Sequence, residues 1–377
     1  MLDRKSNDYK NYIKRISAEN IPAYEPVFSG LEEKYLNEVL HSGWLSEGKF
    51  TRKFEEGIAS LSGRRYALST SNGTAALMIG MLSLDLKKGD EVIVPSLSHS
   101  ADPNSIASIG LTPVFSDVSL DTLCLSVEEI ERVRTTKTRA VLNVCAYGSS
   151  DNLDEIEDYC KTNNLKFIND CAPALGCFFG GRPMASYGDI SMHSFFADKT
   201  ITTGEGGMLL TNDQGVLQKA NIYKHDGRRE RGHDLIEEIG YNFRVTELQS
   251  AIGVAQLENY SFIKAKKIDV HNTYKSLFKG NDRNIKFYEF KNDNTLPHRN
   301  IIFVENASKI ILGLSELGIG ARTLFMPMNQ QPIYSSLQKR EFPNSDYLFK
   351  TGVCLPSGPS LTSEQIEKVY KSIMEII

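Results

Sequence analysis

What this sequence lacks narrows its class before any motif is read. No apolar run among its 377 residues approaches the roughly 18 consecutive residues a membrane helix needs, so a membrane-spanning protein is excluded. Charge bias is missing too. Forty-three basic residues face 47 acidic ones, for a formal net charge of −4. That leaves neither the basic surplus that tracks nucleic acid nor a polybasic membrane signal. Cysteine is sparse: Cys124, Cys145, Cys160, Cys171, Cys177 and Cys354 form no CxxC pair and no ligand-like spacing with histidine. This argues against zinc and against a disulfide framework. Cys145 and Cys171 lie in apolar, strand-like runs, where a reduced thiol behaves as a small hydrophobe. The opening MLDRKSNDYKNYIKR carries charge without an apolar core, so a cytoplasmic address is expected rather than a secreted one.

What is present has an ordinary soluble composition, 41% hydrophobic and 24% charged, at a length that suits two domains. Residues 1–20 are polar and read as a flexible extension. Helical spacing predicts helices over Leu31–Leu40 and Thr51–Ser62. The Gly-bounded loop between them carries the only tryptophan, Trp44, as a core plug or a ligand contact. Apolar runs bounded by turn residues then recur at 91–95, 112–118, 140–148, 165–172, 189–196 and 206–212, with helical patterns at Gly73–Leu84, Val127–Val133 and Leu153–Asn163. This alternation predicts the α/β class, parallel strands joined by crossover helices, with ligands at the carboxyl ends of the strands. After Val245 the texture changes to long helices, two strand-like runs and two further helices, a smaller α+β unit. The expected division is a large domain over 21–262 and a small one over 263–377.

Three features could carry chemistry. Asp170 closes the run LKFIND, where a carboxylate needs a cationic partner or serves as a helix cap. Lys199 follows an apolar run in SFFADKTITTGEGG. A lone lysine is usually a solvated charge, but one held on a glycine-rich turn and partly desolvated can act as an imine-forming nucleophile. The segment TSNGTAALMIGM (70–81) puts small hydroxyl and glycine residues before a helical pattern, a start that suits a phosphate, or an ordinary cap. Together they match the needs of pyridoxal 5′-phosphate: an anion site, an acid for the pyridine nitrogen and an amine for the aldehyde. The mixed-sign stretch KHDGRRERGHD (224–234) could receive a diphosphate through Lys224, Arg228, Arg229 or Arg231, but reads better as a solvated loop.

At NGTAAL (72–77), ADKTITTGEGG (197–207) and GYNFRVTELQSAIGVAQL (240–257) the chain resembles the DegT/StrS nucleotide-sugar aminotransferases, and the resemblance runs from Pro22 to the C-terminus. It implies a fold type I pyridoxal-phosphate architecture, with a mixed, mostly parallel sheet flanked by helices and a smaller α+β C-terminal domain. It also implies a homodimer with shared active sites and a role in amino-sugar and polysaccharide biosynthesis. Lys199 matches the Schiff-base lysine and Asp170 the acid on the pyridinium nitrogen. Gly73, Thr74 and Ala75 match the phosphate-holding helix start, Ser194 a phosphate-binding hydroxyl, and His99 a ring stacked on the cofactor. Asn242 and Arg244 match residues that reach the neighbouring subunit's site, Asn242 toward cofactor and Arg244 toward substrate. Asn329 stands at a sugar-contacting position, and Trp44 is a further expected substrate contact.

The implied reaction is transamination of a nucleotide-linked 4-keto-6-deoxy sugar, with glutamate as amino donor. Likeness to perosamine-synthase-type 4-aminotransferases rests on ADKTITTGEGGML and QQPIY. Two positions depart from the family. Pro173 stands where a side chain commonly meets the cofactor's phenolic oxygen, and Asn329 replaces a common histidine. A sister branch puts histidine in the lysine slot and dehydrates instead, but His193 lies six positions before Lys199. A desulfurase, an aldolase or a non-catalytic regulator on the same fold are the remaining alternatives.

Overall fold

The apolar runs become strands because each must bury both of its faces. Val92 and Val94 pack into one core cluster and Ile93 into another. Ala140, Leu142 and Val144 alternate with Val141 in the same way, and Leu209 alternates with Met208 and Leu210. The computed structural model describes residues 21–377 apart from 151, 230, 231, 233, 282, 283, 292–294, 338 and 339, and the expected extension 1–20 lies outside the described residues.

In chain order, α1 (Leu31–Ser42) and α2 (Lys49–Ser62) precede β1 (Tyr66–Thr70) and α3 (Gly73–Ser83). Next come β2 (Glu91–Pro95), α4 (Ala101–Ser108), β3 (Thr112–Ser116), α5 (Val127–Val133), β4 (Thr138–Val144), α6 (Leu153–Thr162) and β5 (Lys166–Asp170). A short hairpin, β6 (Phe178–Phe179) and β7 (Arg182–Pro183), leads to β8 (Ile190–Ser194), β9 (Gly207–Thr211) and α7 (Gln214–Lys224). The main sheet runs β1-β9-β8-β5-β4-β2-β3. Strand β9 is antiparallel to both neighbours and the remaining pairs are parallel. Register pairs Asp170 with Val144 on one side and Met192 on the other, so the carboxyl ends of β4, β5 and β8 lie level.

Helices α8 (Glu247–Glu258) and α9 (Tyr260–Phe278) lead into the second unit. It holds β10 (Lys286–Phe287), β11 (Asn300–Phe303), α10 (Ala307–Glu316), β12 (Arg322–Thr323), α11 (Pro343–Thr351), β13 (Gly352–Leu355) and α12 (Ser363–Ile376). Its strands form an antiparallel sheet in the order β10-β11-β13-β12. The expected division after residue 262 falls inside α9. Ile263 of that helix packs in the large core, whereas Val270, Tyr274 and Phe278 pack in the small one. Among the described residues no helix is long and apolar enough to cross a membrane, and all six cysteines are free and buried.

One contact ties the loop before α2 to α8. The N-cap residue of α2 is Gly48, which has no side chain to satisfy the helix's first N–H groups. Glu247, at the start of α8, supplies the acceptor. Its buried carboxylate receives the N–H groups of Gly48 (2.7 Å), Phe50 (2.7 Å) and Thr51 (3.2 Å) and the Thr51 hydroxyl (2.7 Å). A negative charge there also meets the positive end of the helix dipole. Glu247→Ala therefore leaves three buried N–H groups without acceptors and is expected to lower unfolding free energy by about 3 kcal/mol in urea titrations. An unchanged midpoint would contradict this account of how α2 is capped.

Candidate active site

A cavity of about 670 Å³ opens where β4, β5 and β8 end, and residues of the small sheet close its far side. Strand-end residues Val144, Asp170, Met192 and Ser194 line it from below, Gly73 and Thr74 of α3 from one flank, and Arg299, Arg322 and Cys354 from the small unit.

Lys199 enters from the loop after β8. Hydroxyls hold that loop: Thr202 Oγ1 donates to Phe195 O at 3.1 Å, Thr203 Oγ1 to Glu205 O at 2.6 Å, and Tyr24 Oη to Lys199 O at 2.7 Å. Glycine is needed where β9 begins. A Cβ on Gly207 would sit 2.3 Å from the Asn72 carbonyl oxygen, so no other residue lets β9 pass the start of α3. The Lys199 side chain is only 19% exposed. Burial lowers its pKa, and the carboxylates of Asp198, at 3.8 Å, and Asp170 oppose the shift. The second oxygen of Asp198 is taken by the Arg299 guanidinium, so Asp198 is divided between two cations.

Asp170 is nearly buried, and its Oδ1 accepts the Ala172 N–H at 2.7 Å. No helix begins after it, so the capping alternative is not realised. At α3 the cap is Asn72, whose Oδ1 accepts the Ala75 N–H at 2.9 Å. This differs from the expectation for Ala75, whose amide is committed to that cap. The N–H groups of Gly73 and Thr74, which the helix ladder cannot reach, stand at the cavity wall. Ser194 is packed beside them: a Cβ on Gly73 would come within 3.1 Å of Ser194 Cβ and 2.6 Å of Met192 Cε. His99 also lines the cavity. Its Nδ1 accepts the Ala101 N–H at 3.1 Å, and its ring meets Phe325 edge-on at 5.7 Å.

Four expected residues lie outside this cavity. Asn329 accepts the Ser96 hydroxyl at 2.7 Å. Asn242 is exposed and bridges to His225, and Arg244 pairs with Asp226 at 3.1 Å. Trp44 is 56% exposed, which overturns its reading as a core plug, and its Nε1 donates to Glu47 O at 3.1 Å. The solvated-loop reading of 224–234 fails at its start. Lys224 is buried at the end of α7 and bonds Glu47 at 2.7 Å, and His225 bonds the other oxygen of Glu47. Arg229 pairs with Glu237, and Arg231 lies outside the described residues. His193 is a core residue between Ser62 Oγ and Cys171 O, its pKa pushed down to about 4 by burial.

Sequence reasoning missed several residues here. Arg299 spans Asp198 and the Ala23 carbonyl. Arg322 lies over the Phe325 ring at 5.2 Å and has no acidic partner among the described residues. Tyr147 adopts φ 57°, ψ 14°, strained for a bulky side chain. It is held there by its stacked contact with Phe325, by the Phe325 N–H donating to its hydroxyl at 3.0 Å, and by the His298 N–H donating to its carbonyl at 2.8 Å. Asp198, beside Lys199, and Asn72, before a helical run, had local signals. Arg299, Arg322 and His298 had none, because only docking of the small sheet brings them here.

Comparison with known proteins agrees with this architecture. The sequence pattern of the DegT/DnrJ/EryC1/StrS aminotransferase family matches residues 28–374. The GDP-perosamine synthases of Escherichia coli O157:H7 and Vibrio cholerae are 37% and 35% identical, each alignment covering 94% of this chain and 98% of the relative. The solved structure of the Helicobacter pylori aminotransferase PseC superposes with a TM-score of 0.89 at 26% identity, covering 94% of this chain and 98% of that one. Pyridoxal 5′-phosphate is the cofactor of these aminotransferases, and the donor set fits it. A desolvated amine, a strand-end carboxylate and a helix start with free N–H groups face one cavity.

The lowered pKa of Lys199 gives a direct test on the cofactor-free chain. Acylation of Lys199, followed by mass spectrometry across pH, should reach half its plateau rate below pH 10.5, the ordinary lysine value. A midpoint at or above that value would mean that the carboxylates outweigh burial.

Proposed function

The chain belongs to the DegT/DnrJ/EryC1/StrS aminotransferase family, and on that premise we propose that it aminates C4 of a GDP-linked 4-keto-6-deoxy sugar with glutamate as donor. The observation that carries the reading is the meeting of Lys199, Asp170 and the α3 start around a single cavity. The names of the two GDP-perosamine synthases support the nucleotide and the position of amination.

When bound, pyridoxal phosphate supplies an aldehyde carbon to carry the amino group and a ring that withdraws electrons from the carbon losing its proton. The chain's own residues do the rest. The N–H groups of Gly73 and Thr74 and the Ser194 hydroxyl hold the phosphate, aided by the helix dipole. The Asp170 carboxylate accepts the ring N–H, and the His99 face covers the ring. Lys199 Nζ, which burial biases toward its neutral form, would take the proton from the glutamate Cα. In the second half-reaction the same amine would run the transfer in reverse and deliver a proton to C4 of the sugar. Arg322, a cavity-lining cation without an acidic partner among the described residues, receives a glutamate carboxylate as a planar fork. The presence of Lys199 where the dehydratase branch carries histidine supports transfer over dehydration.

A homodimer belongs to the same proposal, with Asn242 and Arg244 completing the partner's site. Their position outside their own chain's cavity supports it, as do exposed Trp44, Leu235, Ile236 and Ile239. Six reduced, buried thiols suit a cytoplasmic setting.

A panel of GDP-, UDP- and dTDP-linked 4-keto-6-deoxy sugars, incubated with glutamate and followed by mass spectrometry, tests the substrate. Amine should form fastest on the GDP sugar, and a preference for another nucleotide would overturn that assignment. Arg322→Met should raise the glutamate KM by about tenfold or more, with the sugar KM little changed. Mixing inactive Lys199→Ala with an inactive Arg244 variant should restore part of the activity, and no recovery would contradict shared sites.

A further inference from the structure

Asp102, the second residue of α4, has no role in the scheme above, yet its setting is unusual. It is fully buried, and neither carboxyl oxygen finds a hydrogen-bond partner among the described residues. An ionised carboxylate in that position would be costly. The group it meets within hydrogen-bonding reach is another carboxyl, that of Asp170. The remaining neighbours are the Ser98 hydroxyl and the more distant charge of Lys199. His99, just before α4, has its Nδ1 committed to the Ala101 N–H, and the Asp102 N–H donates to His99 O at 3.1 Å. No cation touches Asp102 directly among the described residues.

Two carboxyls a hydrogen bond apart, away from water, do not both ionise, and one keeps a proton that lies between them. The surroundings decide which. Asp170 lines the cavity, and its Oδ1 already accepts the Ala172 N–H at 2.7 Å. Asp102 lies behind it, outside the cavity lining, with only the Ser98 hydroxyl as a neighbouring donor. Burial first, and then the Asp170 charge, push the Asp102 carboxyl well above the usual range.

We propose that Asp102 is a positioning residue that stays protonated and donates its O–H to the Asp170 carboxylate. This contact fixes the carboxylate plane from behind and leaves lone pairs directed into the cavity. In the loaded enzyme Asp170 then accepts from both sides, the Asp102 O–H behind and the cofactor's ring N–H in front. That second contact rests on the function proposed above, whereas the carboxyl pair itself does not.

The test has one arm without cofactor and one with it. Infrared spectra of the cofactor-free chain in D2O at neutral pH should show the carbonyl band of a buried protonated carboxyl. The band should vanish in Asp102→Asn and persist in Asp170→Asn. Its absence from the unmodified chain, or its loss in Asp170→Asn with retention in Asp102→Asn, would overturn the proposal whatever the enzyme's substrate. In the loaded enzyme, Asp102→Leu should slow the glutamate half-reaction about tenfold or more with the glutamate KM within about twofold. It should also shift the pH at which the cofactor's visible absorption changes. Asp102→Asn, which keeps an N–H donor, should recover most of that rate and the original spectral midpoint. Equal behaviour of the two variants would contradict a role through the donated hydrogen bond. If neither variant takes up cofactor while the infrared pattern holds, the carboxyl pair stands and the cofactor assignment fails.

Discussion

The structure turns on how a lysine amine is kept partly dry between carboxylates. Burial strips water from Lys199 Nζ and favours its neutral form, while Asp198 and Asp170 pull toward the charged form. Burial wins, and Arg299 is part of the reason. By taking one oxygen of Asp198, it prevents that carboxylate from compensating Lys199 in full. A shift in that direction is the one that imine chemistry and proton transfer both favour. The surrounding architecture serves this balance. The parallel register of β4, β5 and β8 sets the strand ends level, the hydroxyl-pinned loop fixes the lysine backbone, and Gly207 lets β9 close against α3.

The small unit is more than an appendage. Helix α9 contributes to both cores, Ile263 to one and Val270, Tyr274 and Phe278 to the other, so the two sheets share a continuous strut. Its strands bring Arg299 and Arg322 over the strand ends of the large sheet. The left-handed backbone of Tyr147 marks the seam, because Phe325 and His298, which hold it, belong to the second unit. Strain of this kind persists only where surrounding contacts over-determine it, and here they come from the docked sheet.

Much of this was legible in the sequence, for local reasons. The six apolar runs were readable because a strand buried on both faces is apolar at nearly every position. Lys199, Asp170 and Gly73 were readable because each sits where a run meets a turn. Strand β1 was not: in YALST three of the five residues, Tyr66, Ser69 and Thr70, carry hydroxyls, and Ser69 is satisfied by Glu55 from α2, a partner that exists only after folding. Helix α4 was hidden by its proline at the third position, which a first turn tolerates. Asp102 lies on that unread helix, and its meaning depends on Asp170, 68 positions later. Trp44 and Asn242 are exposed and lie outside the cavity, so the fold of one chain alone gives them no role there.

The central claim is that one amine, that of Lys199, receives the cofactor. Saturating the protein with pyridoxal phosphate, reducing with borohydride and mapping peptides by mass spectrometry tests this directly. The account predicts a single covalent addition on the peptide carrying Lys199, absent from Lys199→Ala. Addition at another lysine, or none at all in the unmodified protein, would contradict it.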